Sequence, residues 1–230
     1  MKLPLSERLL ACARFVPQGS RVADIGCDHG YLGIHLLTAG IASSMIESDI
    51  NEAPLQSALH NAHKYGVADR MSFYLSDGVR NIPRDFDVLV CAGMGADTMM
   101  HILDSAPWLK DRRYRLVLQC QSKRPELRKY LYANGFAITR ETLAQDGKFI
   151  YPITEVVYAP TEPLSPAQYH ITPALLADDS PLLPAFLERV RYGLQVSVDG
   201  MARTGGEKYE EYKAILMQLQ TIEMPKEEPK

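Results

Sequence analysis

The sequence Val22-Ala23-Asp24-Ile25-Gly26-Cys27-Asp28-His29-Gly30-Tyr31-Leu32-Gly33-Ile34 decides the fold of this chain. An apolar run ends in an acid, a turn that contains glycine follows, and apolar residues then recur at helical spacing. This order predicts a buried strand, a tight loop and the start of a helix. Gly26 and Gly30 would let the backbone approach a bound ligand closely, and the unpaired N–H groups of the helix start would face that ligand.

The residue between the two glycines indicates which ligand the turn would accept. In the dinucleotide fingerprint Gly-x-Gly-x-x-Gly the second glycine opens a path to the pyrophosphate, whereas this chain has Asp28 at that position. A carboxylate there disfavours a pyrophosphate and favours a cation, and S-adenosylmethionine carries a sulfonium and an ammonium. The turn Asp24-x-Gly26-x-x-x-Gly30 resembles the acid-x-Gly-x-x-x-Gly turn of methyltransferases with this fold. We therefore expect S-adenosylmethionine as the cofactor; a glycine-rich turn without a ligand is the alternative.

The composition is that of an ordinary globular protein. The 230 residues, 46% hydrophobic and 23% charged, are enough for one α/β domain and an appendage. The formal charge of −3 excludes a global basic field, so contact with a nucleic acid would need a local patch. The four cysteines are scattered without a Cys-x-x-Cys pair, and three of them, Cys27, Cys91 and Cys120, end apolar runs, which indicates reduced, buried thiols. Neither a long apolar span nor a secretory signal is found, which favours a cytoplasmic protein without a membrane segment.

Beyond the first turn the chain alternates predicted strands with predicted helices. Strands are expected at residues 41–50, 71–75, 86–91 and 115–120, and a closing hairpin at residues 136–143 and 149–158. With the first strand this gives seven, which is typical of an α/β, Rossmann-like class I methyltransferase sheet. We therefore assign residues 1–159 to a catalytic domain that binds S-adenosylmethionine.

The composition changes after Ala159, where four prolines mark an irregular linker. Residues 182–201 and 208–222 then predict two helices with apolar faces, an antiparallel hairpin that is partly coiled-coil-like. Residues 160–230 are thus a linker and a C-terminal helical hairpin, with a disordered tail at residues 224–230.

Acids and glycines stand at the predicted carboxyl ends of several strands, where an open α/β sheet binds its ligands. Asp49 lies 19 positions beyond Gly30, where Rossmann-like folds place the ribose ligand; a turn cap with Asn51 is the alternative. Asp77 could accept the amine of an adenine, and an ordinary Asp-Gly turn is its alternative. The loop around Met94 would leave room for a flat base. The predicted cofactor ligands are Asp24, Gly26, Gly30, Asp49, Ile50, Asp77, Gly78 and Gly93.

A metal site is not expected. His60 and His63 are three residues apart on a predicted helix, a spacing that could bind a metal, but no further ligand cluster joins them in the sequence. Surface histidines in contact with solvent are the favoured interpretation.

Together these residues resemble the bacterial tRNA (adenine-22, N1)-methyltransferases, class I enzymes with a C-terminal helical hairpin. The resemblance runs from Leu5 to about Val157 and more loosely through the hairpin. It rests on these motifs: Ser6-Glu7-Arg8-Leu9, Asp24-Ile25-Gly26-x-Asp28-His29-x-Tyr31-Leu32, Asp49-Ile50-Asn51-x-x-Pro54-Leu55, Asp77-Gly78, Ala92-Gly93-Met94-Gly95, Leu118-Gln119, Leu127-Arg128-x-x-Leu131, Gly135-Phe136 and Gly147-Lys148-x-x-Tyr151. Four positions depart from the family pattern: Gly30 and Gly33 replace an alanine and a proline, Ala96 replaces a glycine, and Cys120 replaces a proline.

The resemblance implies that N1 of an adenine attacks the methyl group in line, with no covalent enzyme nucleophile. Most of the rate would come from holding the reacting atoms in near-attack geometry without water. Asp28, His29, Tyr31 and Met94 are the candidates for positioning the base and the methyl group. A packed histidine with satisfied hydrogen bonds is the alternative for His29.

A structured RNA would be held mostly through its phosphates and shape. Between Lys110 and Lys129 the chain has eight basic and two acidic residues, a net charge of +6. Some of these side chains must contact solvent on helix surfaces. The predicted RNA contacts are Arg8, Arg14, Arg112, Arg113, Lys123, Arg124 and Arg128.

Two other functions are compatible with the sequence: a methyltransferase for another RNA or a small molecule, and a non-catalytic S-adenosylmethionine-binding protein that acts through its hairpin. A monomer is favoured.

Overall fold

A computed structural model describes residues 3–222. The chain forms two compact units that divide between Pro163 and Leu164. The predicted tail at residues 224–230 lies outside the described residues. Between residues 3 and 222 no helix combines the length and the apolar character needed to cross a bilayer.

The first unit is built on one sheet of seven strands. These are β1 Ser20–Ile25, β2 Ala42–Asp49, β3 Met71–Leu75, β4 Val88–Met94, β5 Arg115–Cys120, β6 Phe136–Asp146 and β7 Phe149–Tyr158. Their order is β3-β2-β1-β4-β5-β7-β6. The first five are parallel, and β7 runs antiparallel to both β5 and β6. This arrangement confirms the predicted Rossmann-like fold class.

Five helices flank or connect these strands. They are α1 Glu7–Ala13, α2 Tyr31–Thr38, α3 Glu52–Lys64, α4 Ala96–Asp104 and α5 Arg124–Ala133. Ser6 caps α1, because its side chain accepts a hydrogen bond from the Leu9 N–H. One strand differs from the sequence prediction. β4 was expected at residues 86–91 but continues through Met94, with an irregular register after Ala92. Gly95 then occupies the N-cap position of α4.

The hydrophobic core lies between the central strands and the helices packed on them. Val22, Val88, Val90 and Val117 contribute from β1, β4 and β5 and are almost fully buried, together with Ile34 of α2. β-branched side chains of this kind suit strands that are covered by helices on their faces. The sheet is thereby fixed at its centre, where β1 pairs with both β2 and β4.

Gly33 in α2 is required by the residue that it faces on β2. A Cβ atom at Gly33 would overlap Oε1 of Glu47 and would lie 3.0 Å from Cε of Met45. The Glu47 side chain is fully buried, and neither of its oxygens has a hydrogen-bond partner among the described residues. The glycine at this departure from the family pattern is thus explained by the carboxyl group that occupies the space of a larger side chain.

The second unit has three helices within residues 164–222. α6, Pro173–Leu176, lies in the segment predicted as an irregular linker, and its first turn is capped by Thr172. α7 Leu183–Met201 and α8 Glu207–Gln220 pack on each other and form the predicted hairpin. Arg191 of α7 donates to the carbonyl oxygens of Leu219 and Ile222 and so satisfies acceptors at the end of α8.

We expect Gly33→Ala to destabilise the first unit by about 2 kcal/mol or more, because the new methyl group meets the buried Glu47 carboxyl. In a Glu47→Ala background the same substitution should cost less than half as much, since the obstructing group is gone. Urea denaturation of the four proteins measures this coupling. An equal cost of Gly33→Ala in both backgrounds would show that the Gly33–Glu47 contact is not what requires the glycine.

Candidate active site

A cleft of about 270 Å³ opens at the carboxyl ends of β1 and β4. Seven of the predicted site residues line it: Arg8, Asp24, Gly26, Asp28, His29, Tyr31 and Gly93. Five residues that were not predicted to have a role also line it: Leu9, Cys27, Leu32, Ala92 and Gln121. The cleft lies at the sheet edge where open α/β folds bind their ligands.

Backbone pairing creates the space between the two strand ends. The N–H groups of Gly26 and Cys27 both donate to the carbonyl of Ser48, which bends the chain away from β1 as soon as the strand ends. Gly26 has a φ of +74°, and a Cβ there would overlap Cε of Met94. Gly93 has a φ of +83°, and a Cβ there would lie 3.4 Å from Arg8 Nη1. These two glycines accept left-handed backbone without a steric cost and keep both turns narrow.

Three carboxyl groups lie together at the ends of β1 and β2. Asp24 is buried, and burial together with the charge of Asp49 raises its pKa to about 7. Burial and then the neighbouring Asp24 raise the pKa of Glu47 well above its usual range, an effect that the Cys27 thiol beside it partly offsets. A cation bound at this point would favour the ionised forms of these acids. A second anion would raise their pKa values further.

Asp49 has the turn-capping role that was considered as its alternative, since its Oδ1 accepts a hydrogen bond of 2.9 Å from the Asn51 N–H. A carboxylate has two oxygens and about four acceptor sites, so this bond leaves acceptor capacity for a ribose. The neighbouring Ile50 is 64% exposed although it is apolar. Leu75, at the end of β3, is also exposed. The two side chains offer apolar surface for a flat ring beside Asp49.

Asp77 and Gly78 follow β3, as predicted. Oδ2 of Asp77 lies 3.1 Å from Arg80 Nη1 and 3.5 Å from His101 Nε2, so an arginine and a histidine orient this carboxylate. Gly78 has a φ of +60°, and its carbonyl accepts a hydrogen bond from the Ser48 hydroxyl. The turn after β3 is therefore tied to the end of β2.

Asp28, His29 and Tyr31 project at the start of α2. Asp28 has a φ of +52°, uncommon for a residue with a side chain, and its side chain is 75% exposed. His29 is 52% exposed, with Nε2 3.6 Å from Asp28 Oδ1 and its ring centroid 5.8 Å from that of Tyr31. His29 is therefore not the packed, buried histidine of the alternative interpretation. The left-handed backbone at Asp28 is the kind of strain that clusters at functional sites.

The basic stretch from Lys110 to Lys129 does not form one surface. Arg112 and Arg113 precede β5 and lie at the amino edge of the sheet, whereas Lys123 and Arg124 follow β5 at the carboxyl edge. β5 has six residues, about 20 Å of strand. Arg113 lies 3.6 Å from Asp111 and stacks on Tyr114. β5 therefore divides the basic stretch into two regions, and contact of either region with RNA stays a prediction.

Arg128 was wrongly predicted as an RNA contact. Its side chain is buried on α5 and forms an ion pair with Glu141, which also accepts a hydrogen bond from Thr154. A buried pair of this kind holds the helix on the sheet, and removing one partner would leave an uncompensated charge.

Arg14 is exposed at the end of α1 that leads into the amino end of β1, away from the cleft. Lys123 is exposed and forms an ion pair of 2.7 Å with Asp97.

Gln119 was not assigned a role from the sequence. It is fully buried near the end of β5, and its Oε1 accepts from Arg8 Nη1 at 2.6 Å and from the Gly93 N–H at 3.0 Å. Arg8 also lies 3.7 Å from Asp146, the last residue of β6. A polar residue in an otherwise apolar strand was the signal available for Gln119. Nothing in the sequence pairs it with Arg8, 111 positions earlier.

These residues fit S-adenosylmethionine. The cleft has acids that suit a cation and an arginine that suits an anionic group. It also has two turns at glycines, where an added side chain would crowd Met94 or Arg8. The ends of β2 and β3 present carboxylates beside exposed apolar side chains, which suits a nucleoside. Among the described residues no group of three or more His, Cys, Asp or Glu side chains could hold a metal ion.

Comparison with known proteins agrees with this geometry. Residues 5–154 match the family model described as a methyltransferase domain. The chain is 36% identical over 182 residues to a putative tRNA methyltransferase of Mycoplasma pneumoniae, covering 75% of this chain and 81% of that protein. It is 34% identical over 149 residues to the tRNA (adenine(22)-N(1))-methyltransferase of Bacillus subtilis, covering 64% of this chain. The matched part spans 63% of the length of that relative.

A solved structure extends the likeness through both units. The putative tRNA (m1A22) methyltransferase of Streptococcus pneumoniae, in complex with S-adenosyl-L-methionine, aligns with a TM-score of 0.80 and 28% identity. The alignment covers 92% of this chain and 99% of that one. S-adenosylmethionine is therefore the cofactor that the family and its structural relatives share. The chain belongs to the methyltransferase domain family, in the group that contains the tRNA (adenine-22, N1)-methyltransferases.

Proposed function

We propose that this chain transfers a methyl group from S-adenosylmethionine to N1 of an adenine in tRNA, at position 22 as in the name of its Bacillus subtilis relative. One observation carries the proposal: the cleft between the Gly26 and Gly93 turns, with buried Asp24 at its base and exposed Asp28 at its rim. It offers a cation site beside an open position for a flat base. A cytoplasmic site of action remains a prediction.

The cofactor would be held by groups from three strand ends. Asp24 and Gly26 would receive the ammonium group of the amino-acid end, and Asp49 would accept hydrogen bonds from the ribose. Asp77 and Ile50 would contact the adenine, the first as an acceptor for its amine and the second as an apolar wall. Gly30, which was predicted as a cofactor ligand, faces α3, because a Cβ there would lie 2.9 Å from Cβ of Ala58. It would support the site by shaping the turn.

When bound, S-adenosylmethionine supplies a methyl group activated by the positively charged sulfur. The chain's own contribution is to place the acceptor base and to exclude water, which can account for a large part of the rate. Met94 closes the space behind Gly26, and Tyr31 and His29 stand where a base would enter. The carboxylate of Asp28 would stabilise the positive charge that develops on the purine and could accept the proton that leaves N6.

A tRNA would be held at the carboxyl edge of the sheet. Arg8, Lys123 and Arg124 are the basic residues on this edge that the sequence had assigned to RNA. The described part of the second unit, residues 164–222, has five basic and seven acidic residues, a net charge of −2. Electrostatic attraction for phosphates therefore favours the first unit. An adenine in a paired or stacked region must be unstacked before it can reach the cleft, at a cost of a few kcal/mol.

The proposal predicts that the purified protein, given labelled S-adenosylmethionine and unmodified bacterial tRNA, forms labelled 1-methyladenosine. Asp28→Asn should lower kcat about 100-fold or more, because the charge near the purine is lost. Asparagine tolerates the left-handed backbone at Asp28, so this change tests the carboxylate rather than the fold. Asp69→Asn, an exposed aspartate just before β3, is the matched control and should leave the rate unchanged.

A transcript with A22 replaced should not be methylated. Label in another nucleoside, or none in tRNA while the cofactor still binds, would overturn the proposal. The first result would favour methylation of a different nucleotide of tRNA. The second would favour another RNA substrate, a small-molecule enzyme or a non-catalytic binding protein.

Binding of S-adenosylmethionine should release protons near neutral pH. In the free protein Asp24 has a pKa of about 7, and a bound cation lowers it, so the complex holds fewer protons than the free protein. Affinity should therefore fall by up to about tenfold per pH unit as the pH drops below 7, and level off above it. Calorimetry in buffers of different ionisation enthalpy measures the released protons. Asp24→Asn should abolish this dependence; a pH slope that persists in this variant would assign the proton to another group.

A further inference from the structure

The strongest feature that the proposed function leaves unexplained is the link between Gln119, Arg8 and Gly93. The oxygen of one buried amide accepts hydrogen bonds from two elements that are far apart in the sequence, α1 and the end of β4. Because Gln119 is fully buried and paired in register with Ala92, its position is fixed by the sheet. It therefore fixes where the Arg8 guanidinium stands relative to the Gly93 turn.

Some N–H donors of Arg8 are available to a ligand. A guanidinium has five N–H donors. Its contacts in the described part of the chain are the hydrogen bond to Gln119 and a loose ion pair of 3.7 Å with Asp146. The side chain is 18% exposed and lines the cleft. An arginine held at one side with the rest of its planar fork open is suited to bind an oxyanion in two-pronged geometry.

The order of charges in the cleft indicates where an anion would bind. Asp24 and its neighbouring acids lie at the base, and they disfavour an anion there. Arg8 is the arginine that lines this cleft, and it lies against Gly93, whose missing side chain leaves the guanidinium accessible from the turn. A cation at the base and an anion at Arg8 would satisfy both groups.

We propose that Gln119 is a positioning residue that orients Arg8 to bind an oxyanion beside the Gly93 turn. This inference rests on the proposed function, which supplies two candidate oxyanions: the α-carboxylate of S-adenosylmethionine and a phosphate of the RNA strand that carries the target adenine. Both present oxygens that a guanidinium binds in the same way. Gln119 itself touches neither ligand, and its effect passes through Arg8 and the Gly93 N–H.

The test compares Arg8→Met, Gln119→Met and Gln119→Glu in the full chain. Arg8→Met removes the oxyanion contact, and Gln119→Met removes the acceptor that orients it. Gln119→Glu keeps an acceptor for both donors, and the Gln119 Nε2 that it loses has no partner among the described residues. Arg21→Met, at the amino edge of the sheet, is the control for loss of an arginine.

If the oxyanion is the carboxylate, Arg8→Met and Gln119→Met should weaken S-adenosylmethionine binding about 10- to 100-fold by calorimetry. They should leave binding of decarboxylated S-adenosylmethionine unchanged. If it is a phosphate, both should bind the cofactor normally and reduce the slope of log K for tRNA against log salt by about one. In either case Gln119→Glu, which keeps the acceptor but adds a negative charge beside Arg8, should weaken binding less than Gln119→Met does. Gln119→Met should add less than twofold to Arg8→Met.

The inference is overturned if Arg8→Met changes neither measurement, or if Gln119→Glu is as impaired as Gln119→Met. If Gln119→Met does not fold, Arg8→Met and Gln119→Glu still test whether Gln119 orients Arg8. Cofactor binding needs no turnover, so the carboxylate arm stands even where tRNA is not methylated. If tRNA is methylated but Arg8→Met and Gln119→Met bind the cofactor and tRNA as the unmodified chain does, the proposed function stands and this role of Gln119 is refuted.

Discussion

The parallel pairing of β1 with β2 on one side and β4 on the other is the constraint on which the site depends. It aligns Asp24 with Glu47 and with Val90, so the three strands end at one edge of the sheet. The chain then turns sharply because the Ser48 carbonyl accepts hydrogen bonds from two successive N–H groups after β1. Ligand groups that are separated by up to about seventy residues are brought to one cleft by this pairing.

The same pairing buries acids that have few partners. The Glu47 carboxyl has no hydrogen bond among the described residues, and Asp24 lies close enough to raise its pKa. Unpaired buried polar groups cost stability, and such costs are tolerated where a ligand later satisfies the site. Gly33 is a structural consequence, since α2 can pack over Glu47 only without a side chain there. The buried carboxyl groups therefore lower the stability of the fold at the position where a bound cation would raise it.

The sequence predicted the strands and turns of the site but not its side-chain partners. Apolar runs that end in acids or glycines gave the strands and the turns at Gly26, Asp49 and Asp77, because these signals are local. The burial of Arg128 depends on Glu141 in another element, which no local pattern reveals. The separation of Arg112 from Lys123 did follow from the predicted strand between them, since the two ends of a strand lie at opposite edges. Gln119 stood out only as a polar residue in an apolar run, and its two donors come from distant segments.

The central claim is that the strand ends of β1, β2 and β4 form one cofactor site beside an opening for a base. A crystal structure of the chain with S-adenosylhomocysteine tests it most directly. The account predicts the amino-acid end of the ligand between the Gly26 and Gly93 turns and its ribose within hydrogen-bonding distance of Asp49. A ligand bound elsewhere, or one in the cleft with its ribose away from Asp49, would contradict it.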